Sequence, residues 1–566
     1  MLSLSLRLNS KIIEKDGKIK MTKLAAHLRE HLSGEVFDSE YIRNWFATDG
    51  SIFRIKPKLV IYPARLSDIA KLNRFLWKLN EKGARLSLTS RGAGSDQSGA
   101  AVGDGVTLAM SAHMNKIAEL DTSRNYVKVQ PGIVYGNLEQ ALYTHGKFLP
   151  PYPSSVDFAT IGGSIANNAA GEKSIKYGSI KEYVQNLKIV LSNGDVIETE
   201  KLSKAKLKKK KSLNTFEGEI YRQIDHLIEN NKNVISNLVN TRVTKNSSGY
   251  KIADVKDGKG NFDLTPLFVG SQGTLGVIAE AKLKIENHNP STSLIVAEFH
   301  SIDEATRAAL KISRFKPSAL EVVDGNLINF VKENQPGQLD SVIQSPETPA
   351  MIILCEFDDK KSQQKIKMKK SLKVLASHTK FVRVSTDTNE QENLWKIRHS
   401  AATVLAHKPE GGLAALPIIE DACVPPNKLP DLIGLIYSLF NKNRIKVAIW
   451  GHAGDANLHI EPFLNLSNPT DRRKVFKIVD EYYREVIRMG GTISGEHGDG
   501  RIRAPYLKLQ YGDNVYAIFE KVKHIFDPLN IMNPGVKIGV KQADTIGIMR
   551  NEFTTDHYLA KHLPRS

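Results

Sequence analysis

Cysteine is the scarcest chemistry-bearing residue in this chain: two in 566 residues, Cys355 and Cys423. Two thiols cannot build a disulfide framework, nor can they ligate an iron–sulfur cluster, which takes about four thiolates. Any such cluster serving this chain lies on another polypeptide. The scarcity fits a reducing compartment, and a cytoplasmic location is expected. Long apolar runs are missing too; no segment approaches the roughly 20 apolar residues of a membrane helix. The opening MLSLSLRLNSKIIEKDGKIK lacks the sustained apolar core and small-residue cleavage site of a secretory leader. Residues 1–20 read as a disordered extension ahead of a helical start at Met21. Acidic residues are outnumbered, 61 against 79 basic ones, for a net charge of +18. No helix-turn-helix, zinc-finger or aromatic-basic stacking pattern accompanies that charge, so nucleic acid is not expected as a partner. Part of the excess is local, in KLSKAKLKKKK at Lys201–Lys211. Such like-charge blocks read as solvated loops. The alternative is peripheral docking on an anionic membrane surface, at the inner face of a membrane.

The length allows two or more domains with buried cores. Residues 21–55 carry a helical segment (LAAHLREHL). From Leu59 the text alternates: LVIYPA reads as a strand, DIAKLNRFLWKLNEKG as an amphipathic helix, ARLSLTSRG as a strand entering a glycine loop. VTLAM, YVKVQPG, NLKIVLSNGDVIE and LGVIAEAKLKI follow as strands, with SNGD a hairpin turn. The polar stretch NHNPST marks a boundary, giving domains at 56–287 and 288–540 and a patternless tail at 541–566. The second domain mixes strands (LIVAEF, AMIILCEF, KVAIWG) with amphipathic helices, and DPLNIMNPG reads as a fixed loop.

Two histidine-bearing segments stand out, GHAGDANLH at 451–459 and SGEHGDG at 494–500. His452, His459 and Glu496 offer two imidazoles and a carboxylate, a donor set suited to a divalent ion such as Zn²⁺ or Mn²⁺ with a position left open for substrate. His497 stands beside them as a base. The plainer reading is a pair of hydrogen-bonding histidines at a strand end, with Glu496 and His497 as turn residues. Asp455 and Asp499, in Gly-Asp turns, read as turn formers rather than ligands. Far upstream, SRGAGSDQSGAAVGDG at 90–105 can present successive backbone N–H groups to a phosphate. Its spacing is not the Rossmann fingerprint. The stretch from Gly163 to Ser174 only imitates a P-loop: the spacing is wrong and Glu172 would oppose a phosphate.

The series RGAGSDQSG, QPGIVYGNL, YPSSVDFATIGGSIANNAAG and GSQGTLGVIAEAKL resembles the FAD-binding domain of the vanillyl-alcohol-oxidase type. GHAGDANLH, SGEHGDG and FDPLNIMNPGVKI resemble the FAD-linked oxidase C-terminal domain. Both occur together in the D-lactate dehydrogenase, glycolate oxidase D-subunit and D-2-hydroxyglutarate dehydrogenase group, and the likeness runs from about Leu59 to Ile538. It implies an α+β fold: a two-subdomain, PCMH-type FAD-binding domain followed by an α/β substrate (cap) domain with a mixed or antiparallel sheet. It also implies that Arg91, Gly92, Ala93, Gly94, Ser95 and Asp96, with Thr160, Gly162, Gly163, Asn167 and Asn168, cradle the FAD pyrophosphate, and that Ser154 and Gly171 also bind the cofactor. Pro131 and Gly132 would lie beside the flavin, Val277 and Ile278 would offer backbone groups, and Asn533 would reach the ring. No histidine stands in the first loop where some relatives attach the flavin, so FAD is expected to be noncovalent. Gln272 replaces a common Glu, with little consequence expected for binding.

The implied activity is oxidation of a D-2-hydroxy acid, with D-lactate the default and glycolate or D-2-hydroxyglutarate the alternatives. A hydroxyl proton must leave, hydride must pass from the α-carbon to flavin N5, and the carboxylate must be anchored. A metal on the hydroxyl would assist the first event and His497 would accept the proton. Arg398 matches the position of a carboxylate-binding arginine in this group; the alternative is a surface helical arginine. His399 and Thr403 could line the same pocket. Arg501 and Arg503 read as salt-bridge residues. The electron acceptor stays open among a quinone, a cytochrome, an electron-transfer flavoprotein and a separate Fe–S protein. An alkyl-glycerone-phosphate synthase would show consecutive histidines, absent here. A metal hydrolase would leave the glycine-rich half unexplained.

Overall fold

A computed structural model describes residues 21–239, 242–400, 412–555 and 563–565. The expected extension at 1–20 and Thr403 lie outside the described residues. The Leu66–Glu81 helix follows the strand Leu59–Tyr62 because Ile69, Leu72, Leu76 and Leu79 recur at helical spacing and bury one face. The crossover returns the chain as the strand Leu88–Arg91, and both strands pair in parallel with Val106–Ala109 between them. Glu35–Phe37 adds antiparallel at the other edge to complete a four-stranded sheet. The Leu88–Arg91 strand therefore ends directly in the glycine-rich loop.

A second, antiparallel sheet orders Ile117–Asp121, Tyr126–Val129, Val277–Lys284, Val184–Val190 and Val196–Thr199. Its SNGD turn is closed by Leu191 N–H donating to Asp195 O at 2.8 Å, with Gly194 at φ +85°. Helix Phe216–Asn230 packs beside it. So does helix Leu507–Phe526, which returns from the far end of the chain to bury Val515, Ile518, Phe519, Val522 and Phe526 in this first half.

The third sheet is antiparallel and seven-stranded, in the order Val382–Ser385, Ser293–Phe299, Met351–Phe357, Ala319–Asp324, Val447–His452, Asn457–Leu464, Ala414–Ala415. One face, with Leu320, Val322, Ile353, Cys355, Ile449, Leu458 and Ile460, is covered by helices Ile302–Ile312, Leu429–Asn443 and Pro469–Arg488. The other face presents Val323, Ala448 and Trp450 beneath helices Gly325–Asn334 and Thr388–His399. The α+β class expected from the sequence is what the chain adopts.

The run expected as a solvated loop at 201–211 is instead a helix, Lys204–Lys211. Ser203 caps it, Leu207 is buried, and local acids neutralise four of the seven lysines: Lys201 pairs with Asp257, Lys206 with Glu200, Lys210 with Glu217 and Lys211 with Asp225. No helix among the described residues is long and apolar enough to cross a membrane. Both cysteines are buried. Cys355 lies mid-strand in the seven-stranded sheet, whereas Cys423 sits at the seam between the halves, donating to Asp455 O at 3.2 Å with Thr244 Oγ1 4.0 Å away. Burial pushes the Cys423 thiol up to about 12.

Candidate active site at the seam of the two halves

Strand register assembles the site. Glu321 pairs with His452 across the sheet, and Trp450 pairs with His459. Alternation puts Glu321, His452, Asn457 and His459 on the sheet face opposite the Ile449–Leu458–Ile460 core. The SGEHGDG loop then folds over that face. It is held by the Asp421 carboxylate, which accepts from Glu496 N–H at 3.0 Å, His497 N–H at 2.8 Å and Ser494 Oγ at 2.7 Å. Asp421 adopts φ +81°, a costly conformation for a residue with a Cβ and one that collects at functional sites.

His452 Nε2 lies 3.0 Å from Glu496 Oε1, His459 Nε2 lies 3.2 Å from the same oxygen, and the two Nε2 atoms are 3.4 Å apart. Ligands held at 2.0–2.1 Å in a tetrahedron stand about 3.3–3.4 Å from one another, so these spacings are those of a set closed around a small divalent ion. His452 Nδ1 is 2.7 Å from Glu321 Oε1, the carboxylate support that aims a ligating imidazole and fixes its tautomer. The three residues fit a metal. Burial works to raise the Glu496 carboxyl and to lower His452. Lys245 and His452 nonetheless hold Glu496 well below the carboxylate range, and Glu321 with Glu496 lifts His452 to about 9. Lys245 Nζ, from the first half, donates to Glu496 Oε2 at 2.8 Å.

His497 stacks on His459 with ring centroids 5.1 Å apart, and its Nδ1 bonds to the buried Glu420. Glu420 also pairs with Arg503. Burial would lower the His497 pKa, but Glu420 and Asp421 outweigh it and raise it to about 10. A divalent cation on the neighbouring His459 and Glu496 would oppose that shift. Arg398, read as either a carboxylate binder or a surface arginine, is 2% exposed. Its Nε donates to Glu321 Oε2 at 2.8 Å, and its buried Nη2 has no hydrogen-bond partner among the described residues. His399 Nε2 is 3.1 Å from Glu172 Oε1, across the seam.

The cleft beside this cluster is lined by Arg91, Gly92, Ala93, Gly94, Ser95, Asp96, Ser154, Thr160, Gly163 and Asn167, and on its far wall by Glu496 and His497. An adjoining cleft adds Pro131, Gly162 and Ile278. The glycines have steric reasons: a Cβ on Gly92 would sit 2.1 Å from Thr160 Oγ1, and one on Gly162 2.6 Å from Pro131 Cβ. Gly132, Asn168, Gly171, Val277 and Asn533 do not line either cleft. Asn168 ends the Ile161–Asn167 helix at φ +55° and bonds Ser247 and Ser179. A Gly171 Cβ would lie 1.8 Å from Tyr152 O, and Val277 packs in the first core. Asn533 sits one layer back, bonding Thr89, Ala100 O and Gln272 O. The Arg91 guanidinium bonds Thr48 O and Ala101 O, so its charge is already engaged by backbone carbonyls.

Four residues of the site went unnoticed in the sequence, Lys245, Glu321, Glu420 and Asp421, and Gln272 was expected only to replace a common Glu with little consequence for binding. Gln272 bonds Ser98 Oγ, Asn167 Oδ1 and His497 O and accepts from Gly500 N–H, tying the cleft to the histidine loop. The adjacent acids in LPIIEDACVPP were the one available signal, two charges closing an apolar run. Asp499 and Asp455 are structural: Asp499 takes Ser248 Oγ, Gly249 N–H and Lys537 Nζ, and Asp455 takes Ser174 Oγ. Among the described residues Arg501 bonds backbone carbonyls alone, of Val102, Pro534 and Gly535.

Residues 57–200 match a family described as FAD binding domain, and residues 288–536 match FAD linked oxidases, C-terminal domain. The glycolate oxidase subunit GlcD of Bacillus subtilis (strain 168) is 30% identical over 488 residues, covering 85% of this chain and 89% of that protein. The D-lactate dehydrogenase of Anaerostipes hadrus is 26% identical, covering 89% and 94%. The D-2-hydroxyglutarate dehydrogenase of Escherichia coli (strain K12) is 29% identical over 90% of this chain, which spans 50% of that protein's length. Among solved structures, 4-ethylphenol oxidase from Gulosibacter chungangensis superposes with a TM-score of 0.64 at 15% identity, covering 94% of this chain and 99% of that one. Alkyldihydroxyacetonephosphate synthase superposes at 0.61 and 16%, covering 93% and 86%. At such identities these two show the fold alone.

Proposed function

The chain belongs to the FAD-linked oxidases, and on that premise we propose that it oxidises a D-2-hydroxy acid to the 2-oxo acid, with D-lactate as the reference substrate. One observation carries the reading: Glu496 and His497 form a wall of the same cleft that the glycine-rich loops of the FAD-binding domain line. A group bound at the histidine cluster thus faces the cofactor cleft directly.

When bound, FAD supplies the oxidant, and a Zn²⁺ or Mn²⁺ ion on His452, His459 and Glu496 supplies Lewis acidity that eases loss of the hydroxyl proton. The remaining work falls to this chain. The planar Arg398 guanidinium, whose Nη2 has no partner among the described residues, would take a substrate carboxylate, while Glu321 fixes its position through Nε. His497 offers Nε2 to the hydroxyl proton, with Glu420 orienting the ring through Nδ1. Among the described residues neither cleft is lined by cysteine or tyrosine, and His497 is the one lining histidine, which supports noncovalent FAD. The acceptor that reoxidises the cofactor is a quinone, a cytochrome, an electron-transfer flavoprotein or a separate Fe–S protein.

The test is an absorption spectrum of purified protein before and after anaerobic D-lactate. Flavin bands bleached by D- but not L-lactate support the reading. Bands that resist D-lactate and every other D-2-hydroxy acid sink it. A protein that takes up no FAD at all would favour metal-assisted hydrolysis at the histidine cluster.

A further inference from the structure

The tail read as patternless is built into the back of the cofactor cleft. Met549 bridges Phe53 antiparallel, with Arg54 N–H donating to Ile548 O at 2.8 Å and Arg550 N–H to Ile52 O at 2.9 Å. Arg472, on the helix Pro469–Arg488, fastens the tail from the second half, donating to Arg550 O and Asn551 Oδ1 at 2.7 Å each. Arg550 itself is 4% exposed, and its Nη2 donates to both Asp49 O and Ser51 O. Those two carbonyls bracket Gly50. Gly50 N–H donates to Gly94 O at 2.9 Å, and a Cβ at Gly50 would stand 2.9 Å from Ser95 O and Asp96 O, so the two backbones lie in contact. The buried Asp49 carboxylate reaches the other end of the same loop, its Oδ2 accepting from Ala101 N–H at 3.2 Å. Gly94 and Ala101 both line the cleft. Residues 49–51 thus pin the glycine loop at its two ends, and Arg550 pins residues 49–51.

We propose that Arg550 is a positioning residue for FAD: it touches no cofactor, but through the carbonyls of Asp49 and Ser51 it holds the loop 94–101 in its binding shape, so that the tail sets how tightly the cleft retains FAD. This rests on FAD occupying the cleft and is independent of which hydroxy acid is oxidised. Glycine loses more conformational freedom on ordering than any other residue. A glycine-rich loop that is shaped before its ligand arrives therefore spares the complex an ordering cost. A guanidinium suits the task, since its charge strengthens both bonds and its planar fork fixes their direction. An apolar side chain in its place would leave the loop in the competent shape for only a fraction of the time. The apparent Kd then rises by the inverse of that fraction.

The experiment strips the full chain of FAD, titrates it with FAD by flavin fluorescence, and follows amide hydrogen exchange of the FAD-free protein by mass spectrometry. In Arg550→Met the Kd for FAD should rise about tenfold. Exchange should quicken across residues 94–101 while the seven-stranded sheet keeps its wild-type rates. Arg550→Lys, whose ammonium has three donors and can serve both carbonyls, should stay within about threefold of wild type. A Met variant that binds FAD as tightly as wild type overturns the inference. So does weaker binding with exchange at 94–101 unchanged, or with exchange quickened equally in the sheet, either of which assigns Arg550 to packing of the tail alone. If the Met variant does not fold, the milder Arg550→Gln, which retains one amide for a single carbonyl, is judged by the same two readouts. Wild-type protein that takes up no FAD overturns the parent reading as well, whereas tight binding by every variant overturns this one alone.

Discussion

At the scale of single residues, the site is governed by carboxylates behind the histidines. Glu321 serves two masters, accepting from His452 Nδ1 and from Arg398 Nε. Glu321→Gln keeps the shape but removes the charge that sets the His452 tautomer. Metal affinity, read by titration of the chelator-stripped protein, should fall about 10–100-fold, the usual cost of losing such a support, while FAD is retained. Unchanged affinity would mean that His452 is not a ligand. Asp324 illustrates the reverse electrostatics away from the site. It caps the Gly325–Asn334 helix and accepts from Tyr437, and burial raises its pKa from 3.8 to about 7. The folded protein therefore holds this proton more tightly than the unfolded chain. The stabilisation is complete below 3.8 and is lost as pH rises through about 7. Asp324→Asn should flatten stability across that window by a slope of up to about 1.4 kcal/mol per pH unit, measured by urea unfolding at several pH values.

At the scale of elements, pattern legibility tracked burial. Strands with one buried face announced themselves by alternation, as in NLKIVLSNGDVIE, and the Leu66–Glu81 helix did so by its apolar stripe. The Lys204–Lys211 helix did not, because a single buried Leu207 gives no period and the acids that neutralise it, Glu217 and Asp225, lie on the following helix. The same neutralisation bears on membrane docking. Of the seven lysines in Lys201–Lys211, only Lys204, Lys208 and Lys209 lack a recorded ion pair among the described residues. At roughly 1 kcal/mol per exposed lysine, three support weak, salt-sensitive association at best. Co-sedimentation with vesicles of phosphatidylcholine and phosphatidylserine should be partial in the wild type and absent in the triple Ser variant, with flavin reduction unaffected. Wild-type protein that never sediments would remove the contact.

At the scale of the whole molecule, the two halves meet through buried and part-buried polar contacts. Lys245 reaches Glu496, Lys173 reaches Glu356, and Lys176 and Tyr177 reach Asp358, each from the first half to the second. These explain the limits of the sequence reading. The proposed metal ligands sit in two short motifs and could be seen. Their partners lie 131 residues away in Glu321 and 251 in Lys245, and only sheet register and seam packing join them. Lys245→Met should test the seam. Leaving Glu496 buried without its cation costs about 3–5 kcal/mol, so the metal-free variant should melt well below the wild type. Zn²⁺ should restore more of that loss than it adds to wild-type stability, since the ion replaces the missing charge. Identical melting without metal would show that Lys245 does not carry the seam.

The two thiols turn that architecture into a clock. Alkylating reagents need an exposed thiolate, and neither cysteine offers one while the protein is folded. Cys423 becomes reachable once the halves part at Thr244, whereas Cys355 waits until the seven-stranded sheet itself comes undone. Mass spectrometry of a timed iodoacetamide reaction would therefore record two separate events on one chain, the opening of the seam and the loss of the sheet. The interval between the two labels measures how independently the halves live.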